Sequence, residues 1–141
     1  MKRPVALAAT MVFSISLAYA DTSDRFSKGG AYAPFQTAIA SANASGELFR
    51  IRGSCASNCT LFLGLNNVCV ERSARLLFHA GHEKDDKETI SAKATNRMLS
   101  AYNSKLRDYV VSNGYLTKSS YSTISGARII DEFGYKECPK R

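Results

Sequence analysis

Four cysteines, Cys55, Cys59, Cys69 and Cys138, constrain this chain more than any other feature, and what they mean depends on the compartment in which it folds. The first twenty residues supply that context. Lys2 and Arg3 make a basic start, Val5 to Leu17 an apolar run, and Ala18-Tyr19-Ala20 a small-x-small cleavage site, which together read as a signal peptide over 1–20. The expected product begins near Asp21 and is exported, to the periplasm or the cell exterior. The apolar run falls short of the roughly 20 residues a spanning helix needs, and no later stretch approaches that length, so no membrane span is expected. In an oxidising compartment an even number of cysteines predicts disulfides. All three pairings remain open, with Cys138 placed to staple the tail. Zinc is the competing reading, but Cys55 and Cys59 are not followed by a second closely spaced pair, so neither metal nor cofactor is expected.

Size and charge narrow the rest. Removing the leader takes two of the 19 basic residues and none of the 12 acidic ones, leaving a net charge of +5. Residues 21–141 suit one domain with one core. The basic side chains, among them Arg50, Arg72, Arg107 and Lys140, are scattered and lack the aromatic interleaving of a single-strand binder, which argues against a nucleic-acid partner.

Residues 21–28 are polar and read as a loosely held lead-in to Gly29-Gly30. Phe35, Ala38, Ile39 and Ala42 share one helix face after Pro34, with Gly46 as the stop. Over 48–52, Phe49 and Ile51 alternate with Arg50 and Arg52, predicting a strand with one buried face. Thr60 to Leu65 is apolar all round and reads as a buried helix with Ser57 as N-cap and Asn66-Asn67 as its stop. Two short strands follow, Val68-Cys69-Val70 and Ala74 to Phe78, and then a charged loop over 81–87. Ile90, Ala94, Met98, Tyr102, Leu106 and Tyr109 or Val110 recur at spacings of three and four, predicting one long amphipathic helix ended by Gly114. Leu116 to Ile124 reads as a short helix opened by Thr117 or Ser119, and Arg128 to Ile130 as a last short strand or extended segment. Alternating strands and helices give an α/β class. The glycosylation patterns at Asn43 and Asn58 are read as accidental.

The chemistry concentrates between Gly53 and His82. Ser57 sits in a small-residue turn before an apolar helix, and His79 ends a strand 22 positions later. A serine hydroxyl becomes a useful nucleophile when an imidazole can take its proton, so the two are candidates for a catalytic pair. Each also has a bland reading: serine is a common N-cap, a histidine after an apolar strand is commonly a core residue, and His82 reads as surface.

The order Gly29-Gly30, helix, strand, Gly53-Ser54-Cys55-Ala56-Ser57, apolar helix, Val68-Cys69-Val70 and Leu77-Phe78-His79 resembles the ClpP/crotonase-like superfamily. Within it, the chain looks most like small exported bacterial relatives of the Clp protease proteolytic subunit. The resemblance implies a shortened ClpP/crotonase-like βαβ core with a long amphipathic helix. It implies a serine hydrolase of peptidase type acting on a peptide or small acyl substrate, with Ser57 as nucleophile and His79 as base. Gly29, Gly30 and the amide of Asn58 would form the oxyanion hole. The family's acid, an aspartate, falls on Asn113, which can orient an imidazole but stabilises its charge less; Asp108 and Asp131 are the alternative acids. Family members often assemble into rings or trimers, so a homo-oligomer is implied. A non-catalytic secreted binding module that retains the fold is the rival reading.

Overall fold

Two broken strands, paired in parallel, build the centre of the molecule. The computed structural model describes residues 21–141, so the signal-peptide reading of 1–20 lies outside the described residues. Strand β1 (Phe49–Ile51) pairs with β3 (Val68–Val70), Phe49 opposite Val68 and Ile51 opposite Val70. Strand β2 (Ser54–Ala56) pairs with β4 (Arg75–Phe78), Ser54 opposite Arg75 and Ala56 opposite Leu77. Parallel neighbours need a crossover. Here it is a 3₁₀ helix, Ser57–Gly64, whose Cys59 to Leu63 are all buried. The expected helix is therefore present but more tightly wound, and Ser57 is its first residue rather than a cap, since no side chain caps its start.

Helix α1 (Tyr32–Ser45) ends at Gly46 as the spacing predicts. Its Phe35 joins Phe26, Phe49 and Phe62 in an aromatic cluster, with Phe49 stacked on Phe62 at 4.4 Å between ring centres and Phe26 edge-on to Phe62 at 5.0 Å. Phe26 brings the lead-in with it, so 21–28 is tied down rather than loose. The Arg50 N–H donates to the Asp21 carbonyl at 2.9 Å, the Ser23 N–H donates to the Arg50 carbonyl at 3.0 Å, and the Arg52 guanidinium forks onto the Asp24 carboxylate. Arg50 is buried as well, against the one-faced expectation for β1. Its guanidinium donates to the Pro139 carbonyl at 2.7 Å and lies 3.6 Å from Glu71, because the C-terminal tail covers that face.

The single long helix is corrected to two, α2 (Ala92–Ala101) and α3 (Ser104–Ser112). Their shared apolar face is as expected, with Met98, Tyr102, Leu106 and Val110 all buried. Continuity fails because Tyr102 and Asn103 have better uses for their groups. The Tyr102 hydroxyl meets Thr60 Oγ1 at 2.6 Å, the Asn103 side chain caps α3 by accepting the Leu106 N–H, and its amide donates to the Phe133 carbonyl at 2.7 Å. Arg107 then caps the end of α2 by donating to the carbonyls of Leu99 and Tyr102.

The last two elements exchange types. In place of a helix over 116–124 stands β5 (Ser122–Ser125), antiparallel to β4 with buried Ile124 opposite Leu76. In place of a strand at Arg128 to Ile130 stands α4 (Gly126–Asp131), capped by Ser125, whose side chain accepts the Arg128 N–H. The domain is thus mixed α/β, with sheets β1-β3 and β2-β4-β5. Disulfides join Cys55 to Cys59 and Cys69 to Cys138, the second stapling the tail as expected. Among the described residues no helix is long and apolar enough to cross a membrane.

Candidate functional site around Ser57 and His79

Ser57 and His79 leave the same end of neighbouring strands. Ala56 pairs with Leu77 in the β2/β4 register, so the residue after β2 and the residue after β4 emerge side by side at the carboxyl ends of a parallel pair. That end is where open parallel sheets commonly hold their ligands.

The turn at Ser57 is strained. With φ of 56°, Ser57 is the one non-glycine residue among those described with a left-handed backbone, a conformation that costs an L-residue roughly 1–2 kcal/mol. Three features hold it there. The Cys55–Cys59 disulfide brackets it across four residues. Gly29 lies so close that a β-carbon at that position would come within 2.8 Å of both the Ala56 carbonyl oxygen and Ser57 Cβ, which only glycine avoids. The Ala56 N–H donates to the Ser27 carbonyl at 2.9 Å and the Asn58 side-chain amide donates to the Gly30 carbonyl at 2.7 Å, closing the lead-in onto the turn.

The three amides expected around an oxyanion differ in their state. The Gly29 N–H donates to the Phe26 carbonyl at 3.0 Å and is occupied. Those of Gly30 and Asn58 make no hydrogen bond to other described residues, and Asn58 stands in the first turn of the 3₁₀ helix, where backbone N–H groups are unpaired by construction.

His79 is 6% exposed, and neither ring nitrogen has a hydrogen-bond partner. Its ring lies 4.8 Å from that of His82 and 4.9 Å from that of Tyr121, which meets it edge-on. Burial, and secondarily the charge of His82, push its pKa below the ordinary 6.5, so the imidazole is neutral and its lone pair uncommitted at neutral pH. The segment after it is firmly held. The Ala80 N–H donates to the Lys118 carbonyl, the Gly81 N–H donates to Thr95 Oγ1, and Gly81 fits so tightly under α2 that an added β-carbon would come within 2.5 Å of the Ala94 side chain.

Asn113 is not brought to His79. It is the exposed C-cap of α3, and its side-chain amide donates to the Tyr109 carbonyl at 2.8 Å. Asp131 is forked by Arg72, with contacts of 3.0 and 2.6 Å, and Asp108 is exposed on α3. His79 therefore has no acid partner hydrogen-bonded to it. Two surface clefts lie elsewhere: one of about 420 Å³ at the tail between Arg50, Arg72 and Lys140, and one of about 290 Å³ between Tyr32, Leu61 and Arg97.

No protein-family model, curated protein or solved structure matches this chain.

The neighbours of His79 escape sequence reasoning. Tyr121 faces it because β5 runs antiparallel to β4 with Ser122 opposite Phe78, a register hidden in a stretch whose polar residues suggest a helix start. His82 reaches it across Ala80-Gly81, where Gly81 packs closely under α2, and a lone glycine between two histidines is a faint signal of that.

Proposed function

We propose that this protein is an exported serine hydrolase of the peptidase type, built on a shortened ClpP/crotonase-like core. Ser57 Oγ attacks the carbonyl of a peptide or small acyl substrate, its proton passes to His79, and the protonated imidazole returns it to the leaving group. The backbone amides of Gly30 and Asn58 are the donors available to the developing oxyanion. Gly29 serves by its missing side chain, which lets the lead-in close against Ser57.

The observation that carries this reading is the strained Ser57 itself. Left-handed backbone at a non-glycine residue persists only where the surroundings impose it, and such strain gathers at functional positions. A neutral imidazole with unpartnered nitrogens, leaving the same end of the adjacent strand, is the matching base. On this reading the hydrogen bond between them forms in the substrate complex, where catalytic hydrogen bonds often tighten.

Labelling with a fluorophosphonate probe followed by peptide mapping is the test. The adduct is expected on Ser57, absent in Ser57→Ala, and reduced at least a hundredfold in His79→Gln, since general-base catalysis contributes roughly 10²–10⁴-fold. Because burial depresses the His79 pKa, the reactive neutral form survives acidification past 6.5, and labelling is expected to fade only below that pH. A folded protein without an adduct at any pH would overturn the reading.

A second reading, a secreted binding module without catalysis, is favoured by one observation: the Asn113 amide is engaged on its own helix, leaving His79 without an orienting partner. Retained structure with an inert Ser57 is its signature.

A further inference from the structure

We propose that His79 and His82 together bind a divalent transition-metal ion of the zinc or copper type, through one nitrogen of each ring. The proposal starts from His79. Both of its nitrogens are buried and unpartnered, an arrangement native proteins rarely tolerate unless something absent from the chain itself completes it. The nearest group able to share such a ligand is the His82 ring, 4.8 Å away and tilted by 47°. Two imidazoles bound to one ion through N–metal bonds of roughly 2.0–2.1 Å, at an angle between square and tetrahedral, bring their ring centres to roughly 4.5–5.2 Å. The observed spacing lies within that range.

His82 is also oriented as a ligand would be. Its Nε2 is 3.1 Å from Ser119 Oγ, leaving Nδ1 for the ion. Ligating histidines generally carry such a bond on the second nitrogen, which fixes the ring and its tautomer. Both rings sit on backbone set in advance: the Ser91 N–H donates to the Gly81 carbonyl at 2.7 Å, His82 bridges to Ile90, and the Ala80 N–H donates to the Lys118 carbonyl at 2.9 Å. Among the described residues no third histidine, cysteine or carboxylate completes a closed set. With His79 buried and His82 only partly so, the remaining positions would be filled by water or an incoming ligand from the His82 side, unlike a closed structural zinc. Neutral imidazole is a favoured donor for zinc and for copper, the latter bound more tightly.

This goes beyond the hydrolase reading and does not rest on it: an ion held by His79 occupies the lone pair which that reading gives to the Ser57 proton, so the two uses of the ring compete, and the test of ion binding involves no reaction. The full chain with both disulfides formed would be titrated with zinc chloride and, separately, copper(II) chloride by calorimetry, and the copper complex examined by electron paramagnetic resonance. One ion per chain with two imidazole nitrogens coordinated to copper is expected. His82→Ala is the deciding variant, because His82 stands at the rim of the core and its loss leaves the packing intact. It should lose at least tenfold in affinity and one coordinated nitrogen, while Ser119→Ala loses affinity but keeps both nitrogens. Absence of binding, one imidazole nitrogen in the unaltered protein, or unchanged affinity in His82→Ala would overturn the proposal.

Discussion

At Ser57, local stability and the proposed reactivity pull in opposite directions. A left-handed backbone costs a serine roughly 1–2 kcal/mol, a penalty glycine escapes, while glycine's greater freedom in the unfolded chain gives back roughly 0.4–1 kcal/mol. Ser57 Oγ makes no hydrogen bond to another described residue that a substitution would remove. Ser57→Gly is therefore expected to raise unfolding stability by about 0.5–1 kcal/mol, whereas Ser57→Ala keeps the strain and leaves stability nearly unchanged. Urea titration of the two variants beside the parent checks the difference. Equal stabilities in all three would mean that the turn is relaxed and that the functional argument drawn from its strain has no foundation. The serine and the histidine are both legible in the sequence, because a small-residue turn before an apolar helix and a histidine after an apolar strand are local patterns. What surrounds them is not: Tyr121 reaches His79 through strand register, and Gly29 reaches Ser57 through a close approach that no local pattern encodes.

Among the elements, the junction between α2 and α3 shows where periodicity misleads. Met98, Tyr102, Leu106 and Val110 keep one face buried across the break, so the hydrophobic pattern runs on while the backbone does not. Asparagine is compatible with an exposed helical position, yet at position 103 its side chain does two things a mid-helix residue cannot, capping Leu106 and reaching Phe133. Losing a cap costs roughly 0.5–2 kcal/mol and a further hydrogen bond roughly 0.5–1.5 kcal/mol. Asn103→Ala should thus lose about 2 kcal/mol, and Asn103→Asp, which keeps the accepting oxygen, about half of that, read from the shift of the urea midpoint. If α2 and α3 were joined in solution, the alanine would instead stabilise. The exchange of types at β5 and α4 has a related cause. Few residues there are apolar, and the pairing of Leu76 with Ile124 is decided by the vacant side of β4 rather than by anything within 116–124.

For the molecule as a whole, the two disulfides have separate jobs. Closing the 69-residue separation between Cys69 and Cys138 removes more unfolded-state freedom than closing the four-residue separation between Cys55 and Cys59, about 4 against about 2 kcal/mol on a chain-entropy basis. The double variant Cys69→Ala/Cys138→Ala is expected to melt well below Cys55→Ala/Cys59→Ala, while the latter loses the Ser57 adduct disproportionately to its modest loss of stability. Thermal melts and probe labelling on the same preparations separate the two effects, and matched losses in both readouts would refute the division. That the cysteines pair was legible in their even count; which pairs with which was not, because it depends on which strands become neighbours. The longer bridge has one more effect. It holds 136–138 along β3, where the Val70 N–H donates to the Lys136 carbonyl and the Cys138 N–H donates to the Val70 carbonyl, while Thr22 bridges to Arg50 on the far side of β1. Both margins of that small sheet are thereby covered. A molecule whose tail comes loose offers Val68-Cys69-Val70 as a bare template, and its neighbours in solution can supply the missing strand.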